Sequence, residues 1–198
     1  MPETTFRIVN VEPEPNAELQ RLLKGKKAED VAALLDKGDI AMATACRLVG
    51  ESKVNAVVDY AASLVDGDNP MLIAYVHTEV GRRIARLLTY AGLRVARISG
   101  ETSNNDRAKI EAAFNSGELD VIVGQIMAAG VSLNLQKRCR NVLVAELSWS
   151  PSLIAQFFKR VARLGQKRHT QVDYMVVNEN HYSAVVDAAY QLVLKTKS

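Results

Sequence analysis

From residue 71 onward the chain alternates short apolar runs with amphipathic helical segments, and this alternation constrains the fold more than any other feature. The runs are 71–76 (MLIAYV), 94–98 (RVARI), 120–124 (DVIVG), 141–145 (NVLVA) and 172–177 (VDYMVV). They are rich in Val and Ile and mostly continuous rather than alternating, which is how strands buried on both faces read. Between the first two runs, Val80, Ile84, Leu87, Leu88 and Ala91 form one helical stripe, with Arg82, Arg83 and Arg86 on the opposite face. Gly92 closes that helix. The next opens at Ser103 with Asp106 three residues on, a variant of the capping box, and stops at Gly117. A third has Ser150 as N-cap, Pro151 at its first position and Gly165 just past its end. Strand–helix alternation of this kind predicts an α/β fold: a parallel sheet with helices on both faces.

The first 70 residues differ. Residues 5–11 have the composition of a short strand, broken by Pro13 and Pro15. Helical patterns follow at 16–36 and 40–48, and a clean one at 53–65 has Val54, Val57, Val58, Ala61, Leu64 and Val65 on one face. DGDNP at 66–70 is a turn signal. The expected organisation is a helical lead-in, 1–50, packed on a main α/β domain, 51–198.

At 198 residues the chain has the size of one domain, large enough to hide roughly 70 % of its unfolded surface. Its 48% hydrophobic and 24% charged shares exclude a disordered or low-complexity segment. No apolar run is long enough to span a membrane, and a secretory leader is not expected. Two cysteines, Cys46 and Cys139, make neither a disulfide framework nor a zinc cluster, which points to a reducing compartment; the expected location is the cytoplasm, for a bacterial or phage-encoded protein, rather than a nucleus.

The net charge of +3 hides an uneven distribution. Residues 1–70 carry 8 Lys+Arg against 12 Asp+Glu, whereas 136–172 alone carry Lys137, Arg138, Arg140, Lys159, Arg160, Arg163, Lys167 and Arg168 against the single acid Glu146. A solvated basic face and a surface for phosphate groups both fit this concentration of charge.

No G-x-x-x-x-G-K-S/T loop is present, no paired acids follow a strand to hold magnesium, and neither G-x-G-x-x-G nor G-x-S-x-G occurs. His77, His169 and His181 lie far apart without ligand spacing, so no metal site is expected. Taken as residues alone, the chain has no complete catalytic constellation.

Three segments in order carry a resemblance: AAGVSLNL at 128–135, ELSWSP at 146–151 and QFFKRVARLGQKR at 156–168. Together they resemble the second RecA-like lobe of superfamily 2 helicases, and within it the Swi/Snf-type DNA translocases, annealing-helicase-like branch. The family pattern is A-G-G-x-G-L-N-L, then D-x-x-W-N-P, then Q-x-x-x-R-x-x-R-x-G-Q. Gln156, Arg160, Arg163, Gly165 and Gln166 match the last element; Trp149 and Pro151 match the middle one; Ala128, Gly130, Leu133, Asn134 and Leu135 match the first. Upstream, ISGETSNNDR at 98–107 is similar to the family's S/D-G-x-T-x-x-x-x-R segment, and the likeness spans about 48–178. Ala129 and Ser132 stand where the family has glycines, Glu146 where it has Asp, and Gln125–Ile126 where it has Ser-Thr.

The resemblance implies half of an ATP-driven helicase or translocase. ATP and magnesium would be shared with an N-terminal RecA-like lobe, in cis or trans, and neither would be held by this chain alone, which is not expected to hydrolyse ATP by itself. Arg163 and Arg160 would be arginine fingers, aided by Gln156. Spacings of three and four place these side chains on one side of a helix, and a guanidinium stays ionised and offers paired donors to a transferring phosphoryl group. Gly130 and Asn134 would join them at the nucleotide.

Against the backbone of DNA, expected to be double-stranded, the candidates are Thr78, Ser99, Thr102, Gln125, Ser132, Trp149, Lys137 and Arg138. Other roles stay open for them: helix cap or turn residue for Thr78, Ser99 and Thr102, a half-buried anchor for Trp149, and an ordinary solvated turn for Lys137, Arg138 and Arg140. A different class of function also stays open, that of a non-catalytic module gripping nucleic acid or protein.

Overall fold

The structure is a computed structural model describing residues 3–129, 133–148, 151–159, 161–162 and 166–196. Among these residues six strands form one sheet: β1 (Thr4–Val11), β2 (Met71–Tyr75), β3 (Val95–Ile98), β4 (Val121–Gln125), β5 (Asn141–Val144) and β6 (Thr170–Val177). Their order is β1-β6-β5-β2-β4-β3, and every pairing is parallel. The helices are α1 (Ala17–Leu23), α2 (Ala28–Asp36), α3 (Ile40–Ser52), α4 (Val54–Leu64), α5 (Thr78–Tyr90), α6 (Asn104–Ser116), α7 (Ile126–Ala129), α8 (Pro151–Phe158) and α9 (Ala184–Thr196).

The continuous apolar runs are the central strands. All five residues of β2 are buried, because successive side chains serve opposite faces and both faces are covered. Ile73 and Tyr75 pack with Val57 and Ala61 of α4 and Ile84 and Leu88 of α5. Leu72 and Ala74 face the other way, with Phe114 of α6 and Ile154 and Phe157 of α8. A third cluster, Leu19, Val31, Met42, Val49 and Val186, joins α1–α3 to α9.

β1 lies at the sheet's edge beside β6, so the first strand of the chain is part of the same sheet as residues 71–177. A half-buried tie, with Asp173 itself buried, reinforces this joint. Asp173 accepts both Nε and Nη2 of Arg7 at 2.9 Å, the Tyr60 hydroxyl at 2.8 Å and Gln171 Nε2 at 2.9 Å. Burial pushes the Asp173 carboxyl up; its hydrogen bonds from Arg7, Gln171 and Tyr60 more than reverse this and hold it below the ordinary carboxylate value. Lys53, also buried, donates from Nζ to the Met175 carbonyl at 2.8 Å and lies 3.6 Å from Asp187, whose Oδ2 accepts the Val177 amide.

Two helix boundaries differ from the sequence expectation. The helical pattern at 16–36 is two helices, separated around Gly25, which takes a φ of 72°. The helix expected to start at Pro151 and stop just before Gly165 is described over Pro151–Phe158, and the amides of Val161 and Ala162 both donate to the Phe158 carbonyl at 2.9 Å. Gln166 holds the turn from below, donating to the carbonyls of Val161 and Cys139. Gln156 lies on α8, and residues 160 and 163 lie outside the described residues.

Candidate nucleic-acid interface

A parallel sheet brings all its strand C-termini to one edge, where loops can converge on a ligand. Here the turns after β2, β3 and β4 are tied into one surface. Gln125, the last residue of β4, donates from Nε2 to the Val76 carbonyl and accepts the Gly100 amide on Oε1, both at 3.1 Å. Its side chain thus bridges the β2–α5 and β3–α6 turns.

Arg107, one turn into α6, completes the tie. Its Nε donates to the Thr102 carbonyl at 2.9 Å, Nη2 to the Ser99 carbonyl at 3.0 Å and Nη1 to the Ala128 carbonyl at 2.5 Å. One guanidinium therefore fixes the β3–α6 turn against α7. Within that turn Thr102 Oγ1 accepts the Ser99 amide at 3.0 Å, and the Thr102 amide donates back to the Ser99 carbonyl. Ser103 caps α6 as expected, accepting the Asp106 amide at 3.1 Å.

The start of α5 is held differently. Its N-cap residue, His77, makes no capping bond with its side chain. Glu146, just past β5 and 4% exposed, supplies the acceptor instead: Oε2 takes the amides of Val76 and His77 at 2.8 and 2.9 Å, and Oε1 meets His77 Nδ1 at 2.6 Å. A carboxylate at a helix N-terminus is favoured by the backbone dipoles there. Gly50 of α3 makes the room, since a Cβ at that position would stand 2.1 Å from Glu146 Oε1.

The expected contact residues fall into three places. Thr78, Ser99, Thr102 and Gln125 gather at the C-terminal edge. Thr78 is exposed, Thr102 and Gln125 half-buried, and Ser99 buried. Asn134 and Gln156 are exposed on segments packed over the face that holds Phe114 and Phe157; Asn134 is attached to α6, its amide donating to Glu111 and its carbonyl accepting Asn115. Lys137 and Arg138 lie at the opposite, N-terminal edge. Arg138 uses its guanidinium on backbone there, donating to the carbonyls of Phe114, Leu119 and Gly67 and lying 5.4 Å over the Phe114 ring. Gly130, Ser132, Trp149, Arg160 and Arg163 lie outside the described residues.

Sequence reasoning gave no role to Arg107, although it closes the ISGETSNNDR segment. The available signal was a cation near a helix N-terminus, where the dipole disfavours it unless local carbonyls bind it. It also passed over Met127, which stands 65% exposed on α7 beside these loops.

Residues 52–165 match the model of the helicase conserved C-terminal domain. The chain belongs to this family. It is 30% identical over 128 residues to the SWI/SNF-related matrix-associated actin-dependent regulator of chromatin subfamily A-like protein 1 of Xenopus tropicalis, covering 64% of this chain and 14% of that protein. It is 26% identical over 129 residues to the human DNA annealing helicase and endonuclease ZRANB3, covering 64% of this chain and 12% of that one. The chain thus spans a small part of the length of the curated relatives it matches. Among solved structures, the C-terminal part of the Fun30 ATPase domain superposes with a TM-score of 0.67 at 14% identity, covering 100% of this chain and 98% of that one, so the two share a fold. The six-stranded parallel sheet of this helicase C-terminal domain is the RecA-like α/β fold expected from its sequence. At the position where the family has Thr it carries Ile126, 1% exposed, and the preceding Gln125 is the bridge described above.

Proposed function

We propose that this domain is the second motor lobe of an ATP-dependent DNA helicase or translocase, gripping the backbone of duplex DNA along the C-terminal edge of its sheet. The observation that carries the reading is the convergence of three loops at that edge, held together by Gln125 and Arg107. Hydroxyls and backbone amides on tied loops suit phosphodiester oxygens, which position a protein on nucleic acid without reading its sequence.

ATP would be bound mainly by a first RecA-like lobe, in cis or trans. Arg163 and Arg160 would enter the shared cleft and neutralise charge on the transferring phosphoryl group, with Gln156, exposed on α8, beside them. Magnesium would be held by that first lobe and the nucleotide. Among the described residues no three His, Cys, Asp or Glu side chains cluster as a metal site.

A second reading, a non-catalytic binding module, is favoured by one observation: at the Ser-Thr positions this chain places an amide engaged at both ends and a buried isoleucine.

Hydrolysis by the chain joined to a family first lobe separates the two. The motor reading expects background turnover from the chain alone and DNA-stimulated turnover from the joined protein. Arg163→Ala should abolish that turnover at an unchanged melting temperature. A joined protein that ignores DNA supports the module, and full activity in Arg163→Ala removes the finger assignment.

A further inference from the structure

The basic residues concentrated at 136–172 do not sit with the loops just described. The segment after Leu135 and the segment before β6 run side by side at the N-terminal edge of the sheet. Three hydrogen bonds join them: Arg168 Nη2 to the Arg138 carbonyl at 2.7 Å, Gln166 Nε2 to the Cys139 carbonyl at 2.8 Å, and the Gln171 amide to the Arg140 carbonyl at 2.9 Å. Lys137, Lys167, Arg168 and His169 are exposed there. Arg140 and His169 line a recess of about 290 Å³ with Leu64, Asn69, Asn141 and Gln171.

Like Lys24, Lys27 and Lys37 of the lead-in, these cations have no ion pair among the described residues. Arg7, Arg47, Lys53, Arg82, Arg83, Arg94 and Lys109 each lie within 4 Å of a carboxylate, and among the described residues Lys137, Arg140, Lys167 and Arg168 do not. The acid that feels Arg140 is Asp66, whose oxygens accept hydrogen bonds from Asn69 and from the Asp68 amide. Four permanent positive charges without carboxylate partners, beside amide side chains, match the repeating charge of a phosphodiester backbone rather than base edges. The five residues of β2 separate this edge from the C-terminal loops by about 16 Å.

We propose that the surface formed by Lys137, Arg140, Lys167 and Arg168 is a second DNA-backbone contact, on the edge of the sheet opposite the loops tied by Gln125 and Arg107. It rests on the reading of this domain as a DNA-binding lobe.

The test is fluorescence anisotropy of the full chain with a labelled duplex over a range of salt. Three proteins are compared: the parent, the Lys137→Ala/Lys167→Ala/Arg168→Ala triple variant, and a control triple at exposed lysines of the lead-in, Lys24→Ala/Lys27→Ala/Lys37→Ala. Each phosphate contact contributes about 0.9 to the slope of log affinity against log salt, so the edge variant should lose about 2 to 3 of that slope and tenfold or more in affinity at low salt, while the control keeps its slope. Because Arg168 makes a bond to backbone, the Lys137→Ala/Lys167→Ala double variant, which removes no hydrogen bond described above, should show about two thirds of the slope change. Equal losses in edge and control variants, or no loss in either, overturn the second contact while leaving DNA binding in place. A parent chain that binds no duplex at any salt overturns both readings.

Discussion

Arg107 holds three carbonyls, two in the β3–α6 turn and one in α7. Removing it leaves the Ser99, Thr102 and Ala128 carbonyls without the charged donor they now share. Hydrogen bonds to charged groups contribute about 1.5 to 3 kcal/mol each when solvent is excluded, and partial exposure reduces this. Arg107→Ala should therefore cost about 2 kcal/mol in urea unfolding and weaken duplex binding about tenfold. Arg107→Lys should recover little, since an ammonium cannot span the three acceptors. Unchanged binding in both variants would separate Arg107 from the interface. Asp173 offers a test with a pH signature. Its folded pKa lies below the ordinary carboxylate value, so its contribution is complete above about pH 4 and is lost as pH falls through the folded pKa. Asp173→Asn should cost about 2 kcal/mol at pH 7 and flatten the acid limb of the stability curve. A parallel acid limb in the variant would assign that limb to other carboxylates.

At the scale of elements, the strands, the end of α5 and both ends of α6 were legible because each carries its own local signal. The five apolar runs are β2 to β6 to within two residues, and Ser103 and Gly117 delimit α6. The end of α8 was not legible. Its sequence keeps helical spacing past Phe158, whereas the amides of Val161 and Ala162 turn back to the Phe158 carbonyl and Gln166 bonds to Val161 and Cys139, contacts that helical spacing does not reveal. Glu146 and Gly50 are a similar case, a contact 96 residues apart that spacing cannot reveal. The seating of α5 on β2 gives a sharp prediction. A Cβ at Gly81 would stand 2.4 Å from Cζ of Tyr75, which is buried and tied through its hydroxyl to the Ile98 carbonyl and Arg97. The ring has no room to retreat, so Gly81→Ala should destabilise by about 3 kcal/mol, whereas helix propensity alone predicts a gain. A stabilised variant in thermal melts would contradict this packing.

For the molecule as a whole, the sequence established the sheet and its family but not which edge each candidate residue occupies. Thr78, Ser99, Thr102 and Gln125 share an edge because they follow parallel strands. Lys137 and Arg138 look like members of the same set in sequence, yet residues 133–139 descend along α6 and carry them to the other end. Charge counted along a chain does not record which end of a strand it precedes. If the tied loops at the C-terminal edge meet DNA, amide hydrogen exchange of the chain with and without excess duplex will register it. Exchange on binding should slow in 76–79, 99–107 and 125–129, with α1 to α3 unchanged. Duplex that binds the chain while these three segments exchange at their free rates would contradict it.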